Sequence, residues 1–360
     1  MIVIIGAGIA GLSLGYELVK CGEEITILEA DKIASGASGI ATSYLEPRLG
    51  NTAMRAIERE AMQRWEDYAH NQQTRSKINV GFNKSGQIKV SLPDDLAKLE
   101  KDLKARERQN VPFQRLDTQA IKEAEPSLSP GIISGAFLPD VRWVNGKAIC
   151  LALAQSVIQA GGQIIEQHPV ASIEVTKNKI NLLVGDGSTI DADKIVLCNG
   201  MGANTLAGLP LDIPQCRAVR GVNLVLDQSA LANPITHLIK HHRGNLCPRA
   251  NDQLIVGTTY ESGVSSLTPE ADIVEFLYQN AEPILPSIRE LPLINVTAGI
   301  RSKIGDGNLR LGRSNERPNV YYSLSHGGAG FLRAPAVAPK LAQFIQTGEK
   351  PELLRNHIHG

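Results

Sequence analysis

The sequence predicts an α/β protein that opens with a strand–helix–strand unit. Three observations carry that prediction: the apolar run Ile2-Val3-Ile4-Ile5, the pattern Gly6-Ala7-Gly8-Ile9-Ala10-Gly11 directly behind it, and apolar residues at Ile9, Leu12, Tyr16 and Val19 along one helical face. A continuous β-branched run marks a strand buried on both faces of a parallel sheet. The helix closes on Lys20-Cys21-Gly22, a basic last turn with a glycine stop. Ile25-Thr26-Ile27-Leu28 supplies the second strand, ending in Glu29.

Those residue types in that order suit a dinucleotide. Gly6 permits the tight turn, Gly8 lets backbone approach a pyrophosphate, Gly11 lets helix and strand pack closely, and the helix N-terminus aims unpaired N–H groups at phosphate. Glu29, 18 residues past Gly11, is placed to accept from an adenosine ribose. The motif alone does not choose between NAD and FAD. The stretch from Ser35 to Ser43 is too rich in glycine and serine for a regular element, and such a loop can press its backbone against a flat ring.

Downstream, Gly86 to Val90 reads as a strand and Asp94 to Arg108 as a charged helix. Its Lys98, Lys101, Lys104, Arg106 and Arg108 lie among acids and are expected on a solvated face with i,i+4 pairs. Ala148 to Gly162 has alanine-rich helical periodicity. Gln163-Ile164-Ile165 and the stretch from Val170 to Val184 alternate like strands of a meander, with turns at Lys177-Asn178 and Asp186-Gly187. Ile195-Val196-Leu197-Cys198 is another buried strand, closing on Asn199-Gly200. His237, His241 and His242 have no acid–cysteine cluster near them in sequence, so they are expected in an exposed loop and no metal site is assigned.

Composition bounds the rest. The 360 residues, 42% of them apolar, suffice for about two domains. Thirty-seven basic and 37 acidic residues balance to zero, which disfavours a globally basic nucleic-acid binder. The five cysteines are odd in number, scattered and never paired as C-x-x-C, which argues against a disulfide framework and places the chain in a reducing cytoplasm. Met1 to Tyr16 carries no charge, yet it lacks a basic n-region and a cleavage site and is shorter than the roughly 18 to 20 apolar residues of a membrane span. No transmembrane segment is expected.

Further motifs follow the opening unit: Gly135-Ala136-Phe137-Leu138-Pro139-Asp140 with Val144-Asn145-Gly146; Arg220-Gly221, read as a strand start; and Cys247-Pro248-Arg249 with Val256-Gly257-Thr258-Thr259-Tyr260-Glu261, read as a hairpin. After them come Ala298-Gly299-Ile300-Arg301 with Asp306 and Leu311-Gly312, and last His326-Gly327-Gly328-Ala329-Gly330-Phe331. In order and spacing they resemble the D-amino-acid-oxidase-like family of FAD-dependent oxidoreductases, especially its glycine oxidase and D-amino-acid dehydrogenase branch, over almost the whole chain.

The resemblance implies a Rossmann-like FAD-binding domain (residues 1–80, 141–215 and 291–360) interleaved with an α+β substrate domain on a mostly antiparallel sheet (81–140 and 216–290). It implies that flavin N5 accepts a hydride from the carbon bearing a substrate amine, and that the imine product hydrolyses. Gly6, Gly8, Ile9, Ala10 and Gly11 would meet the pyrophosphate, Glu29 and Ala30 the ribose, and Val170 the adenine. Ser38, Ala41, Thr42 and Ser43 would border the isoalloxazine, with Asn199, Gly200 and Gly299 close by. Gly327, Gly328, Ala329, Gly330, Phe331 and Leu332 would direct N–H groups at the flavin O2 and N1. No cysteine lies between Gly299 and Gly360, so the FAD is expected to be non-covalent.

For the substrate, Arg301 sits at the family's carboxylate-binding arginine, where a planar fork can bind bidentately. Tyr260, Asn245 and His326 are the other pocket candidates. Asn245 replaces a family tyrosine, and Gly328 stands where the family has a second pocket arginine. Those departures enlarge the pocket and remove a charge, which argues against bare glycine as substrate. The expected partners are a small amine or amino acid and an electron acceptor, oxygen or a quinone, with homo-oligomerisation left open. Two alternatives remain at this point. One is a stand-alone relative of a tRNA wobble-uridine oxidase domain, suggested by Gly36-Ala37-Ser38-Gly39, by Pro47, and by a local patch of Arg48, Arg55, Arg59 and Arg64. The other is a flavin-binding subunit without its own catalysis, against which Arg301 argues.

Overall fold

Ile2–Ile5 is wholly buried and pairs in parallel with Ile25–Leu28 on one side and Lys194–Leu197 on the other. Ile2 and Ile4 face a helical layer, whereas Val3 and Ile5 face a second, β-rich layer, which is why the run could not alternate with polar residues. A computed structural model describes residues 1–176, 179–305, 309–355 and 358–359. The expected turn at Lys177-Asn178 and the motif residue Asp306 lie outside the described residues.

The first sheet has seven strands in the order 358–359, 310–313, 320–324, 194–197, 2–5, 25–28 and 163–165. Only the pair 310–313 and 320–324 is antiparallel. Helices Ile9–Lys20, Ala53–Ser76, Gly146–Gln159 and Gly330–Thr347 cover one face. A three-stranded antiparallel sheet, Val170–Val175, Ile180–Val184 and Thr189–Ala192, covers the other. Gln163–Ile165 does not belong to that meander: it extends the large sheet beside Ile25–Leu28. Among the described residues, no helix is long and apolar enough to cross a membrane.

The second sheet has nine strands, and all of its pairings are antiparallel except that of Gln87–Ser91 with Leu238–His241. Helix Ala271–Ala281 packs on one face of this sheet, and Leu99 and Leu103 of helix Leu96–Arg108 join a core on the other. Strand Leu293–Lys303 runs along Arg217–Asp227 from Arg217↔Lys303 to Leu226↔Leu293. The border expected at residue 291 therefore falls within the second sheet, and the chain returns to the first sheet only after Lys303. Arg220 and Gly221 are interior to Arg217–Asp227 instead of starting it. The charged helix is not solvated all round: Arg106 is 4% exposed and donates to Glu46 (2.6 Å) and Asp102 (3.0 Å). The segment from Ser35 to Ser43 also departs from expectation, because Ala37–Ile40 closes one turn of helix.

Candidate active site

The glycine turn is built as its spacing demands. A Cβ on Gly6 would lie 2.8 Å from the Cys198 carbonyl oxygen, and one on Gly11 would lie 2.0 Å from that of Gly6, so first strand, turn and helix close on one another with no room for a side chain. Gly6 also has φ +106°. Glu29, at the end of the second strand, accepts from the N–H groups of Ala7 (2.7 Å) and Asp31 (3.1 Å). Ala30 beside it is exposed, and Val170 lies half-buried at the start of the small antiparallel sheet. Ser38 Oγ accepts from the N–H of Ile9 (3.1 Å), so the small-residue loop lies over the amino end of the first helix, within 3.0 Å of where a Gly8 Cβ would be.

The same loop meets the later motifs. A Cβ on Gly146 would lie 2.4 Å from Ser43 Oγ and 2.9 Å from Phe331 Cζ, and one on Gly299 would lie 2.6 Å from the Ile40 side chain. Asn223 Nδ2 donates to the Ile40 carbonyl (3.0 Å), and the buried Arg249 guanidinium donates to that of Thr42. Asn199, which follows strand Lys194–Leu197, keeps a buried Oδ1 with no partner in the protein, and Gly200 (φ +57°) faces Ser302. Gly327 (φ +56°) and Gly328 turn the chain into the final helix. Ala329, Phe331 and Leu332 are buried there, and the Leu332 carbonyl is held by Trp65 Nε1 at 3.1 Å. The glycine cradle, the carboxylate at the second strand's end and the orphaned Asn199 oxygen fit a dinucleotide with a flat ring.

Arg301 crosses the seam between the units. Its guanidinium lies flat over Gly221, where a Cβ would come within 2.4 Å of Nη2. It donates to the Thr258 hydroxyl (2.9 Å) and the Thr259 carbonyl (3.2 Å). Among the described residues no carboxylate lies within ion-pair reach of it, and burial pulls its pKa down against the opposing influence of Tyr44 and Tyr260. A half-buried cation without an acid is an anion site in waiting. By contrast, Arg220, on the opposite face of the neighbouring strand Arg217–Asp227, is paired with Glu261 and Glu270.

Tyr260 stands at the rim, 62% exposed, with its hydroxyl 2.5 Å from Lys303 Nζ. Asn245 faces the same side as its cross-strand neighbour Lys240, whose ammonium lies 5.1 Å from the Tyr44 ring. Beneath them burial pushes the Glu46 carboxyl up, but Lys240, Lys89 and Arg106 prevail and hold it at about 2. His326 stands apart from this cluster. It lines a narrow cleft with Ala10, Ser13 and Ala338, hydrogen-bonds Ser323 Oγ (2.9 Å), and is held by burial at a pKa of about 4. Tyr44, Lys240, Arg249 and Lys303 escaped sequence reasoning as site residues. Arg249 stands out only within the motif Cys247-Pro248-Arg249, and the others carry no local signal.

The arginine patch considered for tRNA is spent internally. Arg48 and Arg55 both donate to the fully buried Glu58, Arg59 donates to the Gly50 carbonyl, and Arg64 pairs with Glu60. Two of the three histidines are not in an exposed loop, whereas His242 is exposed in the turn that follows the strand, as expected. His237 donates to or accepts from buried Glu125 (2.7 Å), and His241 is buried at the end of strand Leu238–His241.

The fold and the glycine cradle together define a dinucleotide-dependent enzyme. The chain belongs to the DAO family of FAD dependent oxidoreductases, which matches residues 1–344, and FAD is its cofactor. It is 25% identical over 348 residues to a glycine oxidase of Bacillus licheniformis, covering 95% of this chain and 92% of that one. In three dimensions it is similar to a glycine oxidase from Bacillus cereus ATCC 14579, with a TM-score of 0.90, 21% identity, and 98% and 96% of the two chains covered. It is also similar to an L-proline dehydrogenase from P. horikoshii, with a TM-score of 0.84, 22% identity, and 98% and 94% covered.

Proposed function

We propose that this enzyme oxidises the C–N bond of a small amino acid or N-substituted amino acid whose carboxylate is held by Arg301. The observation that carries this reading is the uncompensated Arg301 guanidinium, set over Gly221 and beside Gly299, which in turn touches the Ala37–Ile40 turn of the cofactor loop. A carboxylate clamped there presents its neighbouring carbon toward that loop. FAD, bound without a covalent link, supplies a two-electron acceptor. The neutral amine releases a hydride from the adjacent carbon, its lone pair closes the C=N bond, and water hydrolyses the imine.

Arg301 neutralises the substrate, Thr258 fixes the guanidinium plane, and Tyr260 with Lys303 borders the entrance. Gly328 is exposed, and a Cβ there would meet nothing within 4 Å. That open space supports a substrate larger than glycine, in keeping with relatives that carry the names glycine oxidase, L-proline dehydrogenase and iminodiacetate oxidase. The internal pairing of Arg48, Arg55, Arg59 and Arg64 favours a small molecule over tRNA.

The test is anaerobic. D- and L-amino acids, sarcosine, proline, iminodiacetate and glycine are added in turn to the oxidised holoenzyme, and loss of the flavin absorbance is followed. Bleaching by at least one carboxylate-bearing amine, with glycine slower, is expected. Bleaching only by undermodified tRNA, or by no amine at all, would refute the reading.

A further inference from the structure

We propose that Asp95, His241 and His242 form a metal site for a divalent cation of borderline softness, foremost Zn2+, at the end of an interior strand of the second sheet. Asp95 and the adjacent pair His241-His242, far from it in sequence, bring one ligand atom each to a common point: Asp95 Oδ2, His241 Nε2 and His242 Nδ1 all lie within 4.8 Å of one another. The carboxylate oxygen touches both rings, and the two ring nitrogens are 3.0 Å apart, close to the roughly 3.3 Å edge of a tetrahedron with zinc–nitrogen bonds of about 2.0 Å. Two imidazoles and one carboxylate are a donor set suited to zinc and its neighbours, and they leave one position for water.

Two further features point to a ligand. Asp95 is 3% exposed, and among the described residues its buried Oδ2 has the two imidazole nitrogens as its only partners, so a charged oxygen is aimed at the point where both rings converge. Its other oxygen is held in place by the Ser91 hydroxyl (2.5 Å) and the Leu92 N–H (2.9 Å), as an outer shell holds a ligating carboxylate. Asp95 also occupies the N-cap position of helix Leu96–Arg108 but does not cap it, so the side chain has been turned away from its usual local partner. Two ring protons serve both contacts to Oδ2 only by facing each other across the 3.0 Å between the ring nitrogens, whereas one cation serves all three atoms.

Arg243 is the group a bound cation has to move. Its N–H and Nε lie 3.4 Å from the outer nitrogens of the two rings, although its charge is already paired with Asp94. The metal would tie the start of helix Leu96–Arg108 to the turn between strands Leu238–His241 and Gly244–Pro248. Gly244 pairs with His241, and Asn245, next in the chain, faces the substrate side. The cation is therefore a clamp on the strand that carries Asn245.

The experiment uses chelator-treated holoenzyme titrated with Zn2+ by calorimetry, and with Co2+ read by its visible d–d absorption. About one equivalent per chain is expected. Affinity should fall at least tenfold in His242→Ala and roughly tenfold in Ser91→Ala, which removes only the support of Asp95. Arg243→Ala should tighten binding. The His242 side chain is 28% exposed and its replacement leaves the fold intact, so it keeps the test decisive even where Asp95→Asn misfolds. No saturable binding by the wild type, or unchanged affinity and cobalt spectrum in His242→Ala, would overturn the proposal.

Discussion

Gly221→Ala tests the carboxylate role proposed for Arg301 without touching that residue's own chemistry. The new methyl group would sit 2.4 Å from Arg301 Nη2 and 2.6 Å from Cζ and Nη1, whereas carbon and nitrogen pack no closer than about 3.4 Å, so the guanidinium must move by about 1 Å. The backbone at Gly221 is ordinary strand, and the obstructed atoms are the far end of a flexible side chain, so the fold should tolerate alanine. The bidentate grip on a carboxylate should not. A hydrogen bond to a charged group contributes about 1.5–3 kcal/mol, which corresponds to roughly a ten- to hundredfold rise in Kd. The assay is perturbation of the flavin spectrum by a non-reactive carboxylate, titrated against wild type and Gly221→Ala, with thermal melts as a control on folding. Equal Kd values in the two proteins would refute the assignment of Arg301 to the carboxylate. A large loss of Tm would show instead that the strand, and not the arginine, had yielded.

Three further outcomes are expected. Glu58→Ala leaves the buried Arg333 and its neighbours Arg48 and Arg55 without their shared acid, and should cost about 4 kcal/mol, or roughly 5 °C in Tm, measured by scanning calorimetry. His326, at about 4 in the folded chain, lies below its ordinary value near 6.5 because burial opposes its charge. The unfolded chain therefore takes up a proton that the folded chain refuses, and stability present above about pH 6.5 should fall by up to about 3 kcal/mol as pH drops toward 4. Urea midpoints across that window should show a shallower slope for His326→Asn, and an identical slope would remove the histidine from the account. Glu29→Ala strips the acceptor from the Ala7 N–H and should weaken FAD binding by about tenfold or more, read from released flavin fluorescence.

The cofactor cradle was legible because its parts are contiguous. Gly6, Gly8, Gly11 and Glu29 act through backbone turns and strand ends that a local pattern specifies, and helix Ile9–Lys20 begins and ends where its glycines direct. The substrate side depends on register. Whether Arg301 or Ile300 faces Gly221 is decided by a one-residue offset between Leu293–Lys303 and Arg217–Asp227, and no short window of sequence contains that offset. The same reason hid Tyr44 and Lys240, which meet across the boundary of the two units. It hid Asp95 from His241 and His242 as well, since only the pairing of Gln87–Ser91 with Leu238–His241 brings those stretches together. The pairing of Leu293–Lys303 with Arg217–Asp227 is likewise a long-range match that no local pattern announces.

The cofactor loop is gripped from the second sheet at three points: Asn223 on the Ile40 carbonyl, Arg249 on the Thr42 carbonyl, and Gly299 against Ile40. Occupancy of one pocket must then register in the other. If a carboxylate on Arg301 steadies strand Leu293–Lys303, it steadies the loop that Gly299 touches, and FAD should dissociate more slowly from the liganded protein. Thermodynamic reciprocity requires the converse, a tighter carboxylate site once FAD is bound, by the same factor.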